Sequence, residues 1–453
     1  MELISKINSA INGVVWGPVM LTLLIGVGLF LSVKTNFMQF GKLWYVLKNT
    51  IFGLFSKNQH QKDSSGVSPF QAVATAMAGT IGTGSIAGLA TAIVSGGPGA
   101  VFWMWISALL GMVTKYSEIV LSIKYRQKNK EGQWVGGPMY YIKNGLNCKW
   151  LAAIFAFLAM MACLGTGNAT QSNSIAVALK DTMGVEPWIT GLSLTVIAAA
   201  VILGGMRRIA SVNEKLVPFM AVFFVICSVA ALAVNYAKIP AAFALIFREA
   251  FNFKAAAGGA AGYGVLLAMR FGFSRGVFSN EAGLGSAPIA HAASSTKDPV
   301  KQGLWGMFEV FFTTIIICTL SALVILTTGI WQTGKYEGAD LSIASFNHIL
   351  PGIGGVIVTL ATVFFALSTI LGWAYYGEVS VGYLSGNSKK AIIGYRLVYV
   401  TVVFVGAVGS LDLIWSISDT MNGLMAIPNL IGLIGLCKVV KDATAQHFNG
   451  LKN

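Results

Sequence analysis

Eleven apolar stretches follow one another along this chain, and most are long enough to cross a lipid bilayer. They fall at about 15–34, 67–95, 99–124, 150–179, 187–205, 212–235, 258–284, 300–330, 352–385, 390–408 and 411–437. A helix needs about 20 apolar residues to span the hydrocarbon core. Several stretches exceed that length, which predicts tilt or a break within the membrane. Composition agrees with a membrane protein. Of 453 residues, 55% are hydrophobic and 11% charged, with a mean hydropathy of +0.71; soluble domains carry about 25% charged residues. The chain therefore reads as an all-α integral membrane protein with about eleven transmembrane helices in a single domain, 1–453. Ile239–Phe251 is too short to span and reads as an interfacial helix. The stretch at 15–34 lacks a small-residue cleavage site, so it is expected to be a retained helix rather than a signal peptide.

A net charge of +14 could suit nucleic acid. Here, however, the basic residues sit in short loops between apolar spans, so the partner they imply is the bilayer. One set of alternate loops holds Lys34, Lys42, Lys48, Lys57, Lys62, Lys124, Arg126, Lys128, Lys130, Lys143 and Lys149. It continues with Arg207, Arg208, Lys297, Lys301, Lys389, Lys390, Lys438 and Lys441. The other set holds Lys6, Lys180, Lys238, Arg248, Lys254 and Lys335. Because cytoplasmic loops collect lysine and arginine, the N-terminus is expected outside and the C-terminus in the cytoplasm. Span one (15–34) then stands apart as an extra helix. Spans two to six (67–235) and seven to eleven (258–437) form two groups of five. Five is odd, so the groups run in opposite senses, which is the arithmetic of an inverted repeat.

Each group opens on a glycine-rich interruption. In span two it is Ala78-Gly79-Thr80-Ile81-Gly82-Thr83-Gly84-Ser85, and in span seven Phe271-Gly272-Phe273-Ser274-Arg275-Gly276. Ala-Gly-Leu follows both, at Ala87-Gly88-Leu89 and Ala282-Gly283-Leu284. Clustered glycines favour unwinding, and unwound backbone at membrane depth persists only where it lines a cavity or is buried in protein. Two broken helices of this kind point to a solute site. Amides at the start of a half-helix favour an anion, and carbonyls at a half-helix end favour a cation. The amides from Gly82 to Ser85 are thus a candidate cradle for a carboxylate. Carbonyls near Phe271–Ser274 are candidates for an ammonium. Asn168 and Gln171, three apart on span four, are expected to share a face toward the substrate. Phe273 and Trp373 are expected to wall a small pocket.

Other readings of the same residues carry less weight. Gly82-Thr83-Gly84 lacks the strand and βαβ setting of a dinucleotide site. Gly84 and Gly88 also form a helix-packing pair. The GxSxG pattern at Gly272–Gly276 lies within a span, without the strand-to-helix turn of a nucleophile elbow. The five cysteines form no paired framework, and His60, His291, His348 and His447 lie in or near loops. No enzyme activity and no transition-metal site are expected. Acids within spans are functional candidates by default. Lys115 and Glu118 could pair near one end of span three; Glu281 and Arg275 lie just past the second interruption; Glu309, Glu378 and Asp419 are deeper.

Two long motifs carry a family resemblance. Gly96-Gly97-Pro98-Gly99-Ala100-Val101-Phe102-Trp103-Met104-Trp105-Ile106-Ser107-Ala108-Leu109-Leu110-Gly111 resembles the signature of the alanine or glycine:cation symporter family. So does Gly272-Phe273-Ser274-Arg275-Gly276-Val277-Phe278-Ser279-Asn280-Glu281-Ala282-Gly283-Leu284-Gly285-Ser286-Ala287-Pro288. The resemblance runs over essentially the whole chain. It implies membership of the amino acid–polyamine–organocation superfamily, with the leucine-transporter-type five-plus-five inverted-repeat fold. It also implies sodium-driven uptake of alanine or glycine across a prokaryotic plasma membrane, by a monomer without a cofactor beyond the coupling ion. By the superfamily's geometry, one sodium lies between the carbonyls of Ala78 and Ile81 and the hydroxyls of Ser368 and Thr369. Thr80, Ser85 and Ser274 are candidates for a second sodium touching the substrate, with Thr313 and Thr314 as weaker stand-ins on span eight. Proton coupling through Glu309 or Asp419 is the alternative mechanism, and a passive channel the alternative class.

Overall fold

The computed structural model describes residues 2–50, 66–252, 261–409 and 412–450. The expected starts of span seven (258–260) and span eleven (411), with Lys57, His60, Lys62 and Lys254, lie outside the described residues. The described residues are 84% helical, and their helices match the eleven stretches. Seven are long and apolar enough to cross a membrane alone: Ser5–Lys34, Gly99–Tyr125, Lys149–Met183, Gly205–Val234, Pro299–Thr328, Gly354–Leu384 and Lys389–Val408. Two more are pairs bent by 58°: Pro69–Thr80 with Thr83–Gly96, and Ser416–Gly435 with Cys437–Gly450. The other two are the shorter apolar helix Pro187–Ile202 and Ala261–Asn280. Ile239–Ala250 forms the short helix expected between spans six and seven.

Apolar length does not foreshadow every element. A helix Glu2–Val15 precedes Pro18–Lys34 and lies against span eleven. Between spans three and four, Gln127–Lys128 pairs antiparallel with Trp134–Val135, and helix Pro138–Gly145 follows. Between spans eight and nine, helix Gly338–Ile349 packs on span nine.

Span two forms a helix because Ser68 caps it. Its side chain accepts from the Gln71 amide at 3.1 Å, the Gln71 side chain accepts from the Ser68 amide at 3.0 Å, and Pro69 presets the first turn. The helix stops at Thr80. Ile81 and Gly82 leave the helical conformation, Thr83–Ser85 makes one tight turn, and a second helix runs Ala87–Gly96. The break therefore falls where the glycines cluster.

Span seven breaks elsewhere than expected. Ala261–Asn280 is continuous helix through Phe271–Gly276. The chain unwinds at Glu281–Ser286 and resumes as the short helix Ala287–Ala292. Gly283 and Gly285 supply the turn there, with φ of +92° and +82°, a region that costs other residues about 1–2 kcal/mol. Gly272 and Gly276 are packing positions. A Cβ on Gly272 would come 2.5 Å from the Ala100 oxygen and from Trp103 Cβ, and one on Gly276 would meet Ser107 Oγ at 2.9 Å. Small residues let helices approach closely where apolar lipid offers no hydrophobic drive for association.

Span three packs along both spans seven and eight, and span nine crosses the first break. At that crossing, a Cβ on Gly372 would be 3.0 Å from both the Gly79 nitrogen and the Thr75 oxygen. At the lysine-rich ends, Val67 is bridged to the chain at Ser294 through bonds of 3.0 and 2.8 Å. Arg126 donates to the carbonyls of Ala292, Ser294 and Thr296 beside it. The start of span two is thereby tied to the segment after the second break.

Candidate substrate and cation site

The two breaks meet at a small cavity. It is lined by Gly79, Thr80, Gly82, Gly84, Thr166, Gln171, Phe278, Glu281, Leu284, Thr369, Trp373 and Asn422, and its volume is about 20 Å³. That is room for about one water. A second cavity of about 400 Å³ lies beside it, lined by Thr83, Gly84, Ala87, Gly88, Thr91, Thr166, Thr170, Ser174, Arg275, Phe278, Ser416 and Asp419. Thr91, Ser174 and Asp419 all sit on the halves of their spans that lead to the lysine-poor ends. Gly84, Thr166 and Phe278 line both cavities. The Phe278 ring closes on Gly84, where an added Cβ would be 2.9 Å from it, and so divides the larger cavity from the smaller.

The first half-helix ends on a cluster of oxygens. The Ala78 carbonyl accepts from Ser368 Oγ at 3.2 Å and from Thr369 Oγ1 at 3.0 Å. Both hydroxyls also reach the Phe365 carbonyl, at 2.8 and 3.0 Å. Ile81, one turn on, is fully buried. Carbonyls in the last turn of a helix have no partner within it, so span nine supplies one. A sodium ion entering here would find the same oxygens, with the hydroxyl hydrogens turned away from it. Gly82 is close enough that a Cβ would sit 2.7 Å from Thr369 Oγ1.

The turn that follows faces span four. Thr83 and Gly84 open the tight turn, so their amides lack acceptors within it. Thr83 Oγ1 donates to Gln171 Oε1 at 3.2 Å, and Gln171 Nε2 donates to the Thr166 carbonyl at 3.0 Å. Asn168 turns away. Its amide donates to the Tyr399 carbonyl on span ten at 2.7 Å. The expected shared face is lost because Gly165–Ala169 is wound as a π-helix, which shifts the register of the helix surface, and such segments gather at functional sites. The winding also lets span nine approach closely: a Cβ on Gly167 would run into the Trp373 side chain.

Trp373 joins the two breaks. Its indole N–H reaches Glu281 Oε1 at 3.0 Å and the Gly79 carbonyl at 3.4 Å. Glu281 also accepts from Ser286 at 2.5 Å. The carbonyls expected to face an ammonium, near Phe271–Ser274, lie inside a continuous helix. Phe271 and Ser274 instead line a separate cavity with Asn12, Trp16, Arg270, Arg275, Phe278 and Asp419, while Phe273 packs on Trp103. The ring at the pocket is Phe278, further along the same helix. The three candidates for a second sodium are likewise dispersed. Ser85 bonds Ser279 at 3.2 Å, Thr80 Oγ1 donates to the Ala76 carbonyl at 2.9 Å, and Ser274 bonds back to Phe271 at 3.4 Å.

The buried charges pair differently from expectation. Lys115 and Glu118 are both fully buried, and each is held by other partners. Lys115 Nζ lies 3.0 Å from Glu309 Oε2, and it donates to Thr80 Oγ1 at 3.0 Å and to the Asn280 carbonyl at 2.9 Å. Glu118 accepts from the Gly283 amide at 3.0 Å and from Asn429 at 2.5 Å, which holds the second break in place. His291 is buried rather than in a loop, between Glu309 at 2.7 Å and Gln302 at 2.8 Å. Asp419 accepts from Asn12 at 3.0 Å, which ties span eleven to the N-terminal helix. Glu378 pairs with Arg396 at 2.7 Å. Phe278 and Glu281 escape a sequence reading as pocket residues because their place depends on where span seven unwinds. Glu281 carries the one usable signal, as an acid beside a glycine pair.

Two discontinuous helices facing each other across a small pocket define a polytopic transporter rather than an enzyme. Solved structures with a similar fold include the manganese transporter of Eremococcus coleocola in complex with an aromatic bis-isothiourea compound (TM-score 0.53, 13% identity, covering 82% of this chain and 78% of that one). A mutant of the same manganese transporter is similar at a TM-score of 0.51 and 13% identity, over 81% of this chain and 78% of that one. At that identity the likeness speaks for the fold alone, which is of the leucine-transporter type. The chain belongs to the sodium:alanine symporter family, whose model matches residues 1–453. A relative described as the sodium/alanine symporter AgcS of Methanococcus maripaludis is 48% identical, over 100% of this chain and 98% of that protein. Two Bacillus subtilis relatives are described as a putative sodium/proton-dependent alanine carrier, YrbD (37% identical, 98% and 93% covered), and a probable sodium/glutamine symporter, GlnT (35%, 99% and 92%).

Proposed function

We propose that this protein is a sodium-coupled symporter of small neutral amino acids, alanine or glycine, working by alternating access in a prokaryotic plasma membrane. The observation that carries the reading is the oxygen cluster of Ala78, Ser368 and Thr369 at the end of the first half-helix, directly beside the pocket. Sodium is a hard cation that takes oxygen ligands, and binding there would fix the end of the half-helix and the turn behind it. The Thr83 and Gly84 amides would then receive the substrate carboxylate, with Gln171 holding the turn. The ammonium would face the Gly79 carbonyl and Glu281. The narrow space under Phe278 and Trp373 favours a methyl or hydrogen side chain. No cofactor beyond the ion is called for, and the chain would act as a monomer.

In this reading 67–235 and 258–437 are the inverted repeats, and the N-terminus is outside and the C-terminus cytoplasmic. The cavity of about 400 Å³ then opens outward, and the Val67–Ser294 bridge closes the inner side. Uptake of labelled alanine and glycine into proteoliposomes tests this. Accumulation above equilibrium with an imposed sodium gradient, and none in sodium-free medium, is the expected result. The buried Glu309–His291 pair favours one second reading, proton coupling. Accumulation driven by a proton gradient alone would establish it in place of sodium, and equilibration without accumulation would mark a channel.

A further inference from the structure

We infer that the Lys115 ammonium serves as a resident cation where a second coupling ion would otherwise bind, so that the transporter couples to a single sodium. The inference rests on the sodium-coupled reading above and deepens it. Lys115 is fully buried, and its Nζ is held by three oxygens on three different elements. Thr80 Oγ1 belongs to the first break at 3.0 Å, the Asn280 carbonyl to the second at 2.9 Å, and Glu309 Oε2 to span eight at 3.0 Å. A hydroxyl, a carbonyl at a half-helix end and a carboxylate are the donors a hard cation takes in a protein. A half-helix end favours positive charge, and here the protein supplies that charge itself.

The neighbouring acids are engaged elsewhere. Glu118 accepts from Gly283 and Asn429 through one oxygen, its other oxygen finding no hydrogen-bond partner among the described residues, and Glu281 holds Trp373 and Ser286. The far oxygen of Glu309 is bound by His291. What would remain without the ammonium is an anionic cage of three oxygens joining both breaks to span eight. A lysine cannot leave with the substrate, so it preserves the link between the breaks while removing one ion from the cycle.

The cage yields a sharper expectation than loss of function. Lys115→Ala should bind sodium in the lysine's place. Equilibrium binding of radiolabelled sodium to the purified full-length protein, with saturating alanine, reads the stoichiometry. The wild type should bind one sodium per chain and Lys115→Ala two, with alanine binding becoming cooperative in sodium. Lys115→Arg and the Lys115→Ala, Glu309→Gln double variant should each return to one. Two sodium ions bound by the wild type would overturn the inference and leave sodium coupling intact. One sodium bound by a folded Lys115→Ala would also overturn it. No sodium bound by the wild type would remove the sodium-coupled reading and this inference together. A wild-type stoichiometry of two overturns the inference even if the alanine variant fails to fold.

Discussion

Two hydroxyls and one carbonyl carry the proposed cation site at the residue scale. Ser368 and Thr369 both reach Ala78 while also bonding back to Phe365 one turn earlier. That back-bond is the ordinary habit of serine and threonine in helices, and it ties both hydroxyls to their own helix. Removing either hydroxyl should therefore cost little stability, about 1 kcal/mol. Ser368→Ala and Thr369→Ala are each expected to raise the sodium concentration for half-maximal alanine uptake by about tenfold, which corresponds to ~1.4 kcal/mol, with the thermal unfolding midpoint nearly unchanged. Unchanged sodium activation in a folded variant would move the ion elsewhere. These two hydroxyls follow from the family pattern alone, and the structure places both against Ala78. Asn168 follows from helical spacing, yet it points at span ten, because no spacing rule anticipates a π-wound segment.

At the scale of elements, the first break and the second differ in how openly they are written. The first coincides with its glycines, because Ile81 and Gly82 leave the helix inside the cluster itself. In span seven the glycines at 272 and 276 serve helix contact, and the unwinding waits for Gly283 and Gly285, where φ is positive. A glycine can answer to a close neighbour or to an unusual backbone, and its letter does not say which. The two roles separate in an experiment. Gly272→Ala should lower thermal stability, since its Cβ would meet Trp103 and the Ala100 carbonyl on span three, while any properly folded fraction keeps its sodium affinity. Gly283→Ala should strain the backbone by about 1–2 kcal/mol, press on Leu24 at 2.6 Å, and weaken alanine binding. Equal loss of binding in both variants would contradict this division.

For the whole molecule, the arrangement of cavities fits the proposed alternating cycle. The larger cavity faces the lysine-poor ends, while the Val67–Ser294 bridge and the Arg126 bonds close the lysine-rich ends. A cysteine introduced as Thr91→Cys in a cysteine-free background should be modified by a membrane-impermeant thiol reagent added outside. Sodium with alanine should slow that reaction severalfold as the cavity closes. Modification only from the cytoplasmic side would reverse the orientation derived from the loop charges.

Class, helix count and the first break follow from the order of residues alone. Apolar length is dictated by the thickness of the bilayer, and that local pattern is complete in the sequence. The motif resemblance likewise leads to the family without coordinates. Only the tertiary structure decided which residues meet. Lys115 faces Glu309 rather than Glu118, and Phe278 rather than Phe273 closes the pocket. Those choices depend on the point at which span seven unwinds, and that point is set by contacts with span three and Asn429 that lie far away in sequence. Buried polar groups must be paired where the hydrocarbon offers no water. Which partner each one takes is a property of the packed bundle.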